Sequence, residues 1–269
     1  VIRYLMEKAN ALNSRTLELH LTAISHWHCY QGFEDPVREP LVRKTINGIR
    51  RLHGKPKKKA KALRLEHIVE MFKCLQELPE SLKTTRDKAL LLIGYFSALR
   101  RSELVEIEIK DLIWEPEGLI IRIPQSKTDQ ESEGLLRGVP YGKGICCPVN
   151  ALKQWIEVSN ISEGPVFRSV NRWGQIQDKA LHPGAVNSII KSIGEKCGFD
   201  FIAELSSHSF RRGMSTSAAR ENIGFELIKK QGGWKSDSTV WEYIDEGQQL
   251  VENASTALIE KMSSMILDQ

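Results

Sequence analysis

Between Gly54 and Ala62 the chain reads GKPKKKAKA, with one proline, five lysines and no apolar periodicity. Such a stretch cannot join a hydrophobic core, so the residues on either side must bury separate ones. At 269 residues there is enough chain for a large domain preceded by a smaller one. The expected organisation is a helical domain over 1–53, a basic linker over 54–62 and a larger domain over 63–269.

Charge divides the chain at the same place. Residues 1–64 hold 14 Lys and Arg against 5 Asp and Glu, whereas the remainder holds 24 against 29. From Arg43 to Arg64 there are ten basic residues and no acidic one: Arg43, Lys44, Arg50, Arg51, Lys55, Lys57, Lys58, Lys59, Lys61 and Arg64. A run of this kind is suited to displacing counterions from a phosphate backbone, although a solvated linker is an equally common use of it.

Periodicity predicts a mainly α (α+β) protein. Ser14 is a candidate cap for a helix toward Gly32, with Leu17, Leu19, Leu21, Ile24 and Trp27 as its apolar face, and a second helix runs from Glu39 to His53. Helical patterns return at Leu65–Leu78, Arg86–Ala98, Ser102–Ile107, Val149–Val158 and Ala185–Cys197, and again after Ser206. Between Asp111 and Val139 the pattern changes to β-rich segments around a turn at Glu115–Gly118, which predicts a small antiparallel sheet. The five cysteines, Cys29, Cys74, Cys146, Cys147 and Cys197, show no CxxC spacing, so neither a disulfide framework nor a zinc site is expected. No apolar run approaches the roughly 18 residues of a membrane span and no signal-peptide pattern is present, so a cytoplasmic, nucleoid-associated protein is expected.

Three separated segments carry the chemistry: Ala98-Leu99-Arg100-Arg101-Ser102-Glu103-Leu104, then Gln125-Ser126-Lys127-Thr128, then His208-Ser209-Phe210-Arg211 with Gly232-Gly233-Trp234 and Tyr243. Each alone has an ordinary explanation. An HxxR pair is commonly a surface or structural pair, a tryptophan after two glycines is usually core, and Lys127 alone is most simply a solvated loop residue. Together, in this order, they resemble the tyrosine recombinase (phage integrase) family, and QGGWKSDSTVWEYI resembles its Cre-like members in having Trp nine residues before the tyrosine.

The resemblance implies a helical core-binding domain, here short enough to suggest missing N-terminal residues, followed by a catalytic domain with a small sheet. It also implies a reaction: attack of Tyr243 on a DNA phosphodiester, giving a 3′-phosphotyrosine that a 5′ hydroxyl from another strand reverses without ATP. The implied catalytic set is Tyr243, Arg100, Lys127, His208, Arg211, Trp234 and Glu103. The chemistry gives each a reason. Charge building on the phosphate oxygens needs cations, and Arg100 and Arg211 grip phosphate with planar forks, while His208 and the Trp234 indole N–H add donors. Tyr243 must lose a proton, with His208 as its acceptor, and Lys127 protonates the departing 5′ oxygen. Glu103, three residues after Arg100 on one helical face, is placed to orient Arg100 or His208.

Lys143 in YGKG is an alternative to Lys127, Arg101 and Arg212 adjoin the chosen arginines, and Trp114 and Trp241 are read as packing residues. No cofactor or metal is expected, since no carboxylate or histidine cluster and no P-loop occurs. The implied partners are double-stranded DNA with inverted-repeat sites and three further copies of the chain in a homotetramer. Val251, Ala254, Leu258, Met262 and Met265 recur at helical spacing, a stripe that by periodicity alone suits packing on its own domain, but the resemblance implies that this last helix reaches a neighbouring subunit. A type IB topoisomerase and a non-catalytic architectural DNA-binding protein are the competing readings.

Overall fold

The computed structural model describes residues 1–56, 59–123, 134–251 and 253–267. The chain forms two compact units, Val1–Lys59 and Ala60–Gln269.

The first unit is three helices, α1 (Ile2–Lys8), α2 (Ser14–Tyr30) and α3 (Pro40–His53), around Leu5, Leu17, Leu21, Val42, Ile46 and Ile49. The cap of α2 is Asn13, whose side chain accepts from the Arg15 N–H, and Ser14 is already the first helical residue. Its buried face is also narrower than the sequence suggested. Leu17 and Leu21, four residues apart, are buried, but Leu19, two residues from each, is turned to the far side of the helix, and Trp27 is exposed as well. In α3 the buried stripe of Val42, Ile46 and Ile49 leaves Arg43, Lys44, Arg50 and Arg51 exposed.

The second unit is built around α5 (Leu82–Phe96), capped by Ser81 and buried continuously from Ala89 to Tyr95. A helix apolar all round must be covered all round. It is packed by α4 (Leu65–Glu77), α7 (Pro148–Ser159) and α9 (His208–Arg220). Between them run α6 (Arg101–Glu106) and a three-stranded antiparallel sheet of β1 (Leu112–Glu115), β2 (Gly118–Ile123) and β3 (Leu135–Pro140), with Leu119 opposite Val139. A short hairpin, β4 (Arg168–Val170) with β5 (Ile176–Ala180), precedes α8 (Pro183–Lys196). The hairpin has no counterpart in the sequence reading, since strands of three and five residues are too short to display a period. The chain closes with α10 (Phe225–Gly232), α11 (Asp237–Gln248) and α12 (Ala254–Leu267).

One close approach sets the position of α9. A Cβ on Gly94 would stand 2.9 Å from the Phe210 ring, so the absent side chain lets α9 lie against α5. That contact brings residue 211 beside the turn leaving α5.

Candidate active site

Arg100 is the N-cap of α6, and the Glu103 carboxylate answers both ends of it. Glu103 accepts from the Arg100 backbone N–H at 2.8 Å and from Arg100 Nη1 at 2.5 Å. The first bond satisfies a helix-end donor, and the second fixes the guanidinium. Glu103 is buried while Arg100 stays partly open to solvent.

Arg211 is 5% exposed, one turn into α9. Its Nη1 donates to the Ala98 carbonyl at 2.7 Å. Ala98 holds φ at +50°, a left-handed conformation that costs a residue with a side chain about 1–2 kcal/mol. Burial, with Arg100 and Arg137 adding repulsion, pushes the Arg211 pKa down to about 10, still well above neutral. Its Nη2 is buried and has no acceptor among the described residues.

The Trp234 ring covers this guanidinium, with Arg211 Cζ 4.4 Å from the ring centre. Trp234 also meets Tyr243 of α11, their ring centres 5.2 Å apart. The turn before Trp234 needs both glycines. Gly233 sits at φ +60° as the cap of α10, and a Cβ on Gly232 would stand 1.6 Å from the Trp234 ring. Tyr243 is half-buried, and burial raises its pKa above the usual phenol value although Arg211 and Arg212 pull it down. The phenol is therefore neutral at ordinary pH and must be deprotonated to act as a nucleophile.

His208 opens α9 at the surface, its backbone N–H donating to Ser206 Oγ. Residue 208 thus lies one turn before Arg211 on the same helix. Arg212 pairs with Glu246, whereas Arg101 and Lys143 are exposed. Lys127, and with it the QSKT segment, lies outside the described residues. The two tryptophans read as packing residues are only partly covered: Lys153 lies over Trp114, and Trp241 stacks on Phe225.

Of the basic run, Arg43, Lys44, Arg51, Lys55, Lys59 and Lys61 are exposed, while Arg50 is held by Glu18 at 2.5 Å. Lys61 Nζ lies 5.2 Å from the centre of the Phe201 ring. Lys57 and Lys58 lie outside the described residues.

The structure adds a residue that the sequence reading passed over. Arg137 of β3 is 6% exposed, turned inward on the same face as Val139. Burial lowers its pKa and Arg100 lowers it further, while Glu103 opposes the shift. A signal was present, since an arginine at an inward position of an alternating strand breaks the pattern. Three arginines, Arg100, Arg137 and Arg211, thus share the field of one carboxylate, Glu103. Such a site carries excess positive charge and is preorganised for an anion.

Comparison with known proteins identifies the family. The pattern of the phage integrase family matches residues 61–249. An integrase/recombinase XerD homolog of Selenomonas ruminantium is 33% identical over 97% of this chain and 77% of its own length. Recombinase Cre of Escherichia phage P1 is 26% identical over 88% of this chain and 72% of its own. The solved structure of XerH recombinase in a post-cleavage complex with palindromic difH covers 92% of this chain and 72% of its own, with TM-score 0.57; at 16% identity that likeness is one of fold. The chain belongs to the phage integrase family of tyrosine recombinases, site-specific enzymes that cleave and rejoin DNA.

Proposed function

We propose that Tyr243 is the nucleophile, and that it forms a 3′-phosphotyrosine with a phosphodiester held by Arg100 and Arg211. The observation that carries this reading is the buried Arg211 Nη2, which has no acceptor among the described residues, on a guanidinium packed against Trp234, whose ring also meets Tyr243. A buried donor without a partner is costly, and a phosphate oxygen would satisfy it. Arg100, held by Glu103, supplies the second fork, and Trp234 and His208 supply further donors. His208 takes the phenol proton, and Lys127 protonates the leaving 5′ oxygen. The P–O bond that forms to tyrosine replaces the one that breaks to the 5′ oxygen, so reversal needs no ATP.

Because arginines carry the phosphate charge, wild-type protein is expected to work in EDTA. The test is capture on a nicked duplex whose cut 5′ fragment diffuses away, built on a site selected by this protein from randomised inverted-repeat DNA. Peptide mapping should find the DNA 3′ phosphate on Tyr243. A strict Mg²⁺ requirement, or attachment elsewhere, would overturn the mechanism.

Residues 1–53 then serve as part of a helical DNA-binding domain, with the exposed α3 cations and the 54–62 linker on the backbone of double-stranded DNA. The palindromic substrate of the XerH complex supports inverted-repeat sites here as well. No helix among the described residues is long and apolar enough to cross a membrane, and the setting proposed is the nucleoid.

Exchange between two duplexes requires four cleavages and thus four subunits, and α12 is the proposed connector. Its Leu258, Met262 and Met265 are 68%, 58% and 63% exposed, so this stripe does not pack into its own domain. Apolar area of that kind on a soluble helix seeks a partner, here a second copy of the chain, and a head-to-tail contact closes into a ring. Deleting residues 251–269 should leave binding to a single site intact and abolish synapsis and recombination. Analytical ultracentrifugation on DNA decides it: tetramers and normal recombination by the truncated protein would exclude α12.

A further inference from the structure

Arg137 is a buried cation that the reaction above does not use. A purely structural arginine would be expected to have its guanidinium saturated, because burying that charge costs more than a pair usually returns. Here Nη1 donates to the carbonyl of its own neighbour, Leu136, at 3.0 Å, and Nε has no acceptor among the described residues. What the guanidinium does have is a close backbone neighbour. A Cβ on Gly233 would stand 1.7 Å from Arg137 Nη2, 2.8 Å from Cζ and 3.3 Å from Nη1, so the glycine lies against the Nη2 end of the guanidinium.

The same region is tied at a second point. Gln231 Nε2 donates to the Gly138 carbonyl of β3 at 3.1 Å and to the Phe96 carbonyl at the end of α5 at 2.6 Å. The turn that ends α10 is therefore seated on β3 through residues 137 and 138. Its next residue is Trp234, whose ring touches both the Arg211 guanidinium and the Tyr243 ring.

We propose that Arg137 is a positioning residue: by supporting the backbone of Gly233 it holds the Trp234 indole against Arg211 and Tyr243. The fork matters more than the charge in this role, since its Nη2 arm is what reaches the glycine and a lysine ammonium has no such arm. β3 also follows directly on the segment that bears Lys127, so the same contact links that strand to the nucleophile's end of the site. This role rests on the reading of Tyr243 and Trp234 given above.

The test has two arms. In the DNA-free full chain labelled with 5-fluorotryptophan, Arg137→Met should shift or broaden the Trp234 fluorine resonance, identified by its loss in Trp234→Phe, and leave the other five tryptophans in place. On the nicked duplex, adduct formation should fall ~100-fold, the order expected for a misplaced catalytic group, with DNA affinity unchanged. Gly233→Ala should match that loss, and the double variant should lose no more, because both substitutions break one contact. Arg137→Lys, which keeps the charge and demands less of folding, should shift the same resonance and slow the same step. A methylphosphonate at the cleavage point, which removes the phosphate charge, should restore neither Arg137 variant.

An unmoved Trp234 resonance, additive losses or a wild-type rate for Arg137→Lys would overturn the positioning role. Rescue by methylphosphonate would overturn it too, making Arg137 a phosphate ligand. If wild-type protein itself forms no Tyr243 adduct, the nucleophile assignment fails, and the fluorine arm still judges Arg137.

Discussion

Tyr243→Phe is expected to eliminate the covalent protein–DNA adduct and to lower recombination by roughly 10⁴-fold or more, the scale on which enzymes lose activity with their nucleophile. Binding to the DNA site should change little. The substitution removes one oxygen and retains the ring that packs on Trp234. Nor should the fold suffer. Burial already disfavours the phenolate in the folded chain, so the wild type loses stability as pH rises above the free phenol's pKa of about 10, and the phenylalanine variant lacks that loss. The readouts are an SDS-resistant band on the nicked duplex, a binding isotherm and thermal melts at pH 8 and pH 10.5. An adduct that survives in the variant would show that another residue attacks the phosphate.

Arg211→Met should separate activity from stability in an unusual direction. Loss of a phosphate-clamping arginine is expected to reduce cleavage by about 10³- to 10⁵-fold, as for other arginines that neutralise phosphoryl transition states. The melting temperature should not fall. Arg211 is a buried base whose pKa is held at about 10, below the ordinary value of a guanidinium, so folding disfavours its charged form. For a base shifted this way the unfolded chain keeps its proton to a higher pH than the folded one. The cost is therefore present in full below pH 10 and is relieved only above it. A Met side chain fills the same space without that charge, and the loss of the bond to the Ala98 carbonyl offsets part of the gain. Differential scanning calorimetry alongside single-turnover cleavage would test both halves. A variant that melts much earlier than wild type would mean that Arg211 is chiefly structural, and retained cleavage would remove it from the site.

Much of this site was legible because its parts are local. Glu103 lies three residues from Arg100, one helical turn, and the pair meets in the folded chain without help from the rest of the molecule. The nine residues from Trp234 to Tyr243 span a turn and the start of α11, which returns one ring to the other. The chain divides into its two compact units between Lys59 and Ala60, inside the lysine-rich segment, where the sequence has no apolar periodicity to bury.

Errors arose where a neighbour in space outweighed a neighbour in sequence. Leu19 and Trp27 looked like core because they are apolar, but only the packing of α2 on α3 decides which face is covered. Ser14 and Asn13 are both good caps, and the choice between them turned on a single backbone hydrogen bond.

By itself, then, the sequence determined the family, the order of the chemical groups and the pairs held within one or two turns, because short spacings on regular elements fix geometry locally. The tertiary structure alone decided the environment of those groups. Arg211 meets the Ala98 carbonyl across 113 residues of chain, Arg137 comes to lie under Gly233, and Gly94 admits Phe210. These contacts depend on how β3, α5 and α9 pack, and packing sets burial. Burial in turn leaves a guanidinium nitrogen without an acceptor among the described residues and keeps the tyrosine neutral, properties that residue identity and spacing cannot convey.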